Sequence, residues 1–143
     1  MINTYFGVVH PWLCDAMGHL TTRHYVGMFD DASYHLLAAL DANLDEMRQE
    51  DRGFADVKST LEYKGELHSG ALIEIRSTLL SLGNKSFTHR HAMYNRGNSQ
   101  LAATMENTTV AFDLKTRRAV PLFDHFRRAS ERYLDSHLRG DNV

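Results

Sequence analysis

The sequence lacks several features that would direct it to a specialised class of protein. It holds a single cysteine, Cys14, which excludes a disulfide scaffold and fits a reducing compartment. Its apolar runs are a few residues long, whereas a membrane-spanning helix needs about 20. The N-terminal residues also lack the basic and apolar regions of a secretory signal. We therefore expect a cytoplasmic protein with no membrane partner.

An excess of basic charge is also missing. The sequence has 16 Lys and Arg residues and 18 Asp and Glu residues, so its formal net charge is −2. Nucleic-acid binding leaves a basic footprint, so no nucleic-acid partner is expected. The 43% hydrophobic and 24% charged residues are typical of an ordinary globule, which excludes a disordered or low-complexity chain. A chain of 143 residues suffices for one core, so a single domain over residues 1–143 is predicted.

The apolar pattern predicts one long helix near the start of the chain. A first strand is expected within residues 4–10 and ends at Pro11, which removes a backbone donor. From Thr22 the apolar residues recur every three or four positions over about five helical turns. They are Tyr25, Met28, Phe29, Ala32, Leu36, Leu37 and Leu40. Residues 36–40 are apolar almost all round, so deep burial of this helix is expected.

Four strands and a terminal helix are predicted next. A polar connection over residues 41–53 has room for one short helical turn. Alternating patterns then predict strands that pair in chain order as an antiparallel meander, at residues 57–64, 71–82, 87–94 and 100–114. Pro121 opens an amphipathic helix, and residues 140–143 are expected to fray. The fold class is therefore α+β, with the long helix packed on one face of a curved sheet.

Standard catalytic and metal-binding motifs are missing. The sequence has no Gly-x-Ser-x-Gly elbow, phosphate loop, dinucleotide fingerprint or His-Glu-x-x-His motif. His89 and His91 lie two apart on one strand face but have no nearby third ligand, so they are expected on a solvated or dimer-contacting face. No metal and no cofactor are therefore expected.

The segment that most suggests chemistry is the loop before the long helix. Asp15 and His19 lie four residues apart, on either side of Gly18, and lead into the helix N-terminus. A helix N-terminus offers unpaired N–H groups and partial positive charge, which an oxyanion at a carbonyl needs. An aspartate nearby can attack that carbonyl or activate water. The alternative is structural, because Asp15 can organise the turn through an Asx-type hydrogen bond.

This segment resembles the signature of the hotdog-fold acyl-CoA thioesterases, in particular the 4-hydroxybenzoyl-CoA thioesterase-like family. The family pattern is Asp-x-x-Gly-His-(hydrophobic)-Asn-Asn-x-x-Tyr or a close variant. Here the loop reads Asp15-Ala16-Met17-Gly18-His19-Leu20-Thr21-Thr22-Arg23-His24-Tyr25. The similarity also covers residues 63–71, 83–87 and 113–121, and so extends over residues 5–122.

The resemblance implies a fold, an assembly and a reaction. The fold is a long central helix wrapped by a five-stranded antiparallel sheet, with a C-terminal helix here, assembled as a homodimer or homotetramer. Members hydrolyse acyl-CoA, or sometimes acyl-carrier-protein, thioesters without a metal. By position in the motif, Asp15 is the catalytic carboxylate, as nucleophile or general base, and the N–H of Thr22 is the oxyanion donor. His19 is expected to orient the loop or contact the substrate.

Other residues have weaker or alternative roles. Thr21 and Thr22 stand where many relatives have two asparagines, so threonine hydroxyls would take over any capping or water-positioning role. Tyr25 is expected to pack in the core, and its hydroxyl is a candidate for lining the site. Asp31, beside Asp30, is weighed because another hotdog branch uses a carboxylate from within the helix, but a structural role is favoured. Cys14 is an alternative nucleophile without a clearly placed base.

Because CoA carries phosphates, positive charge is expected at the substrate entry. Lys85 and Ser86 at a hairpin turn are the candidate contacts, and further candidates are Arg90, Arg127 and Arg128. The predicted function is hydrolysis of a small-to-medium or aromatic acyl-CoA to the free acid and CoA. The alternative is an acyl-CoA or acyl-chain binding protein without turnover, and a hotdog dehydratase or hydratase comes third.

Overall fold

The computed structural model describes residues 1–138 and Gly140. Its elements are β1 (Ile2–Val8), a 3-10 turn (Pro11–Leu13), α1 (Thr22–Ala39), α2 (Leu44–Gln49), β2 (Arg52–Tyr63), β3 (Leu72–Leu82), β4 (Ser86–Asn95), β5 (Leu101–Asp113) and α3 (Asp124–Leu138). The α+β class and every predicted element are confirmed. The fraying predicted at the C-terminus falls on residues that, apart from Gly140, lie outside the described part of the chain. No helix within the described residues is both long and apolar enough to cross a membrane.

The five strands form one sheet in the order β1-β3-β4-β5-β2. The prediction of a four-stranded meander in chain order is therefore wrong for β2, which lies beside β5 and not beside β3. The place next to β3 is taken by β1, which pairs with it antiparallel from Ile2↔Ser77 to Val8↔Leu72. Alternation along a strand reports which side chains share a face, but it carries no information on the neighbouring strand.

The chain groups into two compact units, and the single-domain organisation stays a prediction. The first unit consists of Met1–Leu36, Thr60–Thr78 and Arg90–Glu106. Its core joins the buried face of α1 to the inward residues of three strands and two loops. The residues are Val9, Leu20, Tyr25, Met28, Phe29, Ala32, Leu67, Ile73, Ile75, Met93, Ala102, Ala103 and Met105. This core positions the loop before α1, because Val9 and Leu20 anchor both ends of that loop in it.

Helix α1 buries only one face within the single chain. Its buried residues are Tyr25, Met28, Phe29, Ala32 and Leu36, the positions predicted from the three-to-four spacing. The expected burial all round is wrong, because Val26 and Tyr34 are 47% and 55% exposed and Ala38 and Ala39 are also exposed. Alanines at the end of a helix lengthen the apolar run in the sequence, but they are small enough to remain exposed to solvent.

The second unit consists of Leu37–Ser59, Leu79–His89 and the described residues from Asn107 onward. Three aromatic rings pack at its centre: Phe54 from β2, Phe87 from β4 and Phe126 from α3, with centroids 5.0–5.5 Å apart. Arg127 on α3 donates to the carbonyls of Gly83 and Asn84 at 2.9 and 2.7 Å. These bonds fix the turn between β3 and β4.

Candidate active site

The loop between β1 and α1 is held by backbone hydrogen bonds at both ends. Cys14 and Leu20 form an isolated antiparallel bridge across it. Leu20 N donates to Leu67 O at 2.8 Å, and Thr21 N donates to Leu13 O at 3.0 Å. The loop is therefore a closed turn whose shape is set before any substrate arrives.

The carboxylate of Asp15 organises the interior of this turn. Its Oδ1 accepts hydrogen bonds from Met17 N at 2.9 Å and from His19 N at 3.1 Å. The turn needs Gly18, whose φ of 81° lies in the left-handed region. The predicted Asx-type bond is thus present. It occupies one oxygen, and within the described residues Oδ2 of Asp15 accepts no hydrogen bond from the protein, so it is available for chemistry.

The N-terminus of α1 begins directly after this turn. Thr22 is its first residue and is exposed, and no acidic residue lies in the first turn of the helix to offset the positive end of the dipole. His24 N reaches back to Thr21 O at 3.0 Å. Among the hydrogen bonds of the described residues, the N–H of Thr22 has no protein acceptor. The turn and the helix start therefore bring an available carboxylate oxygen and an available backbone donor into one unit.

His19 lies in a polar cluster that the sequence did not reveal. Its Nε2 is 3.4 Å from Oε2 of Glu66, and its ring contacts that of His68 edge to face, with centroids 4.7 Å apart. An isolated antiparallel bridge joins the backbones of His19 and His68. The signal available in the sequence for Glu66 and His68 was that residues 63–71 share in the family resemblance. The role of His19 in the chemistry stays a prediction.

Tyr25 packs in the core as expected and is 4% exposed. Its ring meets that of Tyr63 edge to face at 5.1 Å. Burial raises the pKa of the Tyr25 phenol, and the neighbouring Tyr63, Glu66 and Asp15 raise it further. The phenol therefore stays protonated and is a neutral hydrogen-bond donor in the electrostatic surroundings of Asp15.

The two predicted CoA contacts belong to the second unit, whereas Asp15, His19, Thr22 and Tyr25 belong to the first. Lys85 is exposed in the turn before β4, and its carbonyl accepts from Ala111 N at 2.9 Å. Ser86 opens β4, and its carbonyl accepts from Gly83 N at 2.7 Å. Both side chains are left available by these backbone bonds.

The alternative catalytic residues have less suitable surroundings. The thiol of half-buried Cys14 donates to His10 O at 3.6 Å, and no base contacts it among the described residues. Asp30 and Asp31 are both exposed on α1 and line a cleft of about 370 Å³ with Tyr5 and other residues. The burial that would suit Asp31 to acid–base catalysis is missing, because its side of α1 is open.

The expectation that His89 and His91 lie on a solvated or dimer-contacting face is wrong. They are 3% and 0% exposed within the single chain. In the first unit, His91 Nε2 is 2.9 Å from Ser33 Oγ and Nδ1 is 2.6 Å from Ser77 Oγ. In the second unit, His89 Nε2 is 3.0 Å from Thr109 Oγ1. Hydroxyl partners supply the hydrogen bonds that allow polar rings to be buried.

We predict that His89 makes the protein less stable in mild acid. Burial lowers its pKa from 6.5 to about 4, although the nearby Asp56 opposes the shift. Between these two values the unfolded chain binds the additional proton, so the stabilisation is complete above pH 6.5 and is lost as the pH falls towards 4. The free energy of unfolding should drop by about 2 kcal/mol between pH 7.5 and 5 from this group alone.

Urea unfolding at a series of pH values measures this effect. His89→Gln keeps a neutral side chain beside Thr109 and should flatten the pH dependence over this interval. The matched control is His35→Gln on the exposed side of α1, which should retain the wild-type slope. An unchanged slope in His89→Gln would show that other groups cause the acid sensitivity.

The five-stranded antiparallel sheet with its helices is the α+β hotdog fold of CoA thioesterases, as the resemblance implied. The chain belongs to the thioesterase-like superfamily, whose family model matches residues 9–130. Membership makes it an acyl-CoA thioesterase at the level of the family.

Three similar proteins illustrate the relationship. A betainyl-CoA thioesterase of Pseudomonas aeruginosa is 28% identical over 123 residues, which span 85% of this chain and 76% of that protein. A DHNA-CoA thioesterase of Staphylococcus aureus superposes with a TM-score of 0.89 at 15% identity, covering 100% of this chain and 98% of the other. A second S. aureus protein, solved in complex with CoA, has a TM-score of 0.87 at 16% identity, covering 94% and 85%. The two structures share the fold with this chain.

Proposed function

We propose that this protein hydrolyses acyl-CoA thioesters with Asp15 as its catalytic carboxylate and the N–H of Thr22 as its oxyanion donor. The observation that supports this most is the divided use of the Asp15 carboxylate. Oδ1 is held by two backbone N–H groups, at 2.9 and 3.1 Å, whereas Oδ2 has no protein partner among the described residues. Oδ2 can therefore react with a substrate or with water while Oδ1 keeps the turn in shape.

The chemistry follows one of two routes from that oxygen. As a nucleophile, Oδ2 adds to the thioester carbonyl, the C–S bond breaks, CoA leaves as a thiolate, and water then cleaves the acyl-aspartyl anhydride. As a general base, Oδ2 takes a proton from a water molecule that attacks the carbonyl directly. Both routes place negative charge on the carbonyl oxygen, which the Thr22 N–H at the positive end of α1 stabilises.

The other predicted residues assist in this proposal. The ring of His19 contacts the carboxylate of Glu66, and this contact orients the turn that carries Asp15. The protonated phenol of Tyr25 donates a hydrogen bond towards bound substrate or water. Lys85 and Ser86 contact the CoA phosphates, and a homodimer or homotetramer in the cytoplasm remains the predicted assembly and location.

The acyl group is the finer part of the proposal. We propose a small-to-medium or aromatic acyl-CoA, and the relative that acts on betainyl-CoA adds a small cationic acyl group to the candidates. Non-catalytic binding of acyl-CoA is the alternative function. The family match over residues 9–130 favours hydrolysis, because it is a match to thioesterases.

A substrate panel tests the activity and separates the two functions. Acetyl-, hexanoyl-, benzoyl- and betainyl-CoA are incubated with the protein, and released thiol is followed with a chromogenic disulfide reagent. We expect release from at least one substrate, with kcat/KM above about 10⁴ M⁻¹s⁻¹ for the best one. Thermal stabilisation by every acyl-CoA without thiol release would instead establish a binding protein.

A further inference from the structure

The cluster of His19, Glu66 and His68 has the composition of a metal site. Two imidazoles and one carboxylate each offer a ligand atom, and these three atoms all lie within 4.8 Å of one another. It is the one such group of three within the described residues. We propose that this cluster binds one divalent transition-metal ion, with Zn²⁺ as the reference ion and a water molecule in the remaining position.

The spacing suits a tetrahedral ion. Bonds of about 2.1 Å put neighbouring ligand atoms of a tetrahedral site about 3.4 Å apart. His19 Nε2 and Glu66 Oε2 are already 3.4 Å apart. Glu66 is 69% exposed, so its carboxylate has the freedom to close the remaining gap to His68 by a change of rotamer.

The backbone holds the two histidines in place for this role. His19 and His68 face each other in an antiparallel bridge, and the neighbouring Leu20 N donates to Leu67 O at 2.8 Å. The turn around Asp15 fixes His19 further, since its N–H donates to Oδ1 of Asp15. Ligands fixed in this way lose little conformational freedom when an ion binds.

The cluster offers a cation two ring nitrogens and one carboxylate oxygen. The rings of His19 and His68 are close, with centroids 4.7 Å apart, so one ion can reach both of them. A bound ion takes both rings as neutral ligands while the carboxylate supplies charge. Two nitrogens and one oxygen favour Zn²⁺, Co²⁺, Ni²⁺ or Cu²⁺, whereas Mg²⁺ and Ca²⁺ prefer sites made of oxygen.

No metal is expected from the sequence, because His89 and His91, which lie two apart on one strand, have no third ligand nearby. The ligands proposed here come from two separate segments, which the Leu20 to Leu67 hydrogen bond joins. The spacing of residues along the chain therefore did not signal them.

Isothermal titration of Zn²⁺ into the chelator-treated protein tests the proposal. We expect one ion per chain, and at least about tenfold weaker binding in each of His68→Ala and Glu66→Gln. His35→Ala is the matched control, because it removes an exposed histidine outside the cluster and should leave the affinity unchanged. A parallel titration with Mg²⁺ should show no binding.

The outcomes separate the cluster from adventitious binding. The absence of a one-to-one transition in the wild type would overturn the proposal, as would unchanged Zn²⁺ affinity in both cluster variants. Thermal unfolding of the metal-free variants confirms that they are folded. The titration contains no acyl-CoA, so a negative result would overturn the metal site and leave the proposed hydrolysis untouched.

Discussion

Replacing Asp15 with asparagine is expected to lower kcat/KM for acyl-CoA hydrolysis by about a thousandfold or more. The amide oxygen of asparagine can still accept the N–H groups of Met17 and His19, which now bind Oδ1 of Asp15. The turn should therefore keep its shape, while the negative charge and the reactive Oδ2 are lost. Steady-state thiol release with the best substrate of the panel measures the effect, and the melting temperature reports on the fold.

Comparison with Asp15→Ala separates catalysis from turn formation. If Asp15 acts chemically, the asparagine and alanine variants should be about equally inactive, and only alanine should lower the melting temperature by removing two hydrogen bonds. If Asp15 serves the turn alone, asparagine should retain activity and alanine should not. Cys14→Ala is the neighbouring control and should remain active, since Cys14 has no base placed beside it.

The fold was largely accessible from the sequence because its elements are amphipathic. The three-to-four spacing from Tyr25 to Leu36 and the alternation along the strands predicted α1 and the sheet close to their observed bounds. The position of β2 in the sheet could not be predicted from the sequence. Pairing with β5 rather than β3 depends on contacts that are remote in sequence, and the local pattern of β2 fits either neighbour equally well.

The predicted exposure of His89 and His91 was wrong for a related reason. A polar residue on an alternating strand indicates a solvent-exposed face only when the protein interior offers it no hydrogen-bond partner. Thr109 meets His89, and Ser77 meets His91, each from a neighbouring strand that sequence reasoning cannot place opposite them. Hydroxyls at inward positions were the available signal, but threonine and serine are too common in strands for them to be decisive.

The candidate site divides in the same way. Asp15, His19 and Thr22 lie within one short segment, so a single motif located the turn and the helix start together. Glu66 and His68 reach His19 only through the bridge between two separate segments. The sequence therefore located the proposed chemistry and missed the polar cluster beside it.

Removing the N–H of Thr22 at the N-terminus of α1 is also expected to have a large effect on kcat. Thr22→Pro is expected to lower kcat by about 10²–10³-fold, the usual loss when one oxyanion donor is removed. Proline deletes the N–H and leaves the carbonyl. Because Thr22 is the first residue of α1, proline is tolerated there, and its fixed φ suits the first helical turn.

The matched variant Thr22→Ala keeps the N–H and removes only the hydroxyl. It should retain kcat within a fewfold, because the proposed donor is the backbone and not the side chain. Equal losses in both variants would assign the role to the hydroxyl, which takes the place of an asparagine in many relatives. Since KM reports ground-state binding only when chemistry is slow, single-turnover rates at saturating substrate are the decisive measurement. A transition-state donor then appears as a slower chemical step in Thr22→Pro, while acyl-CoA binding and the melting temperature stay near those of Thr22→Ala.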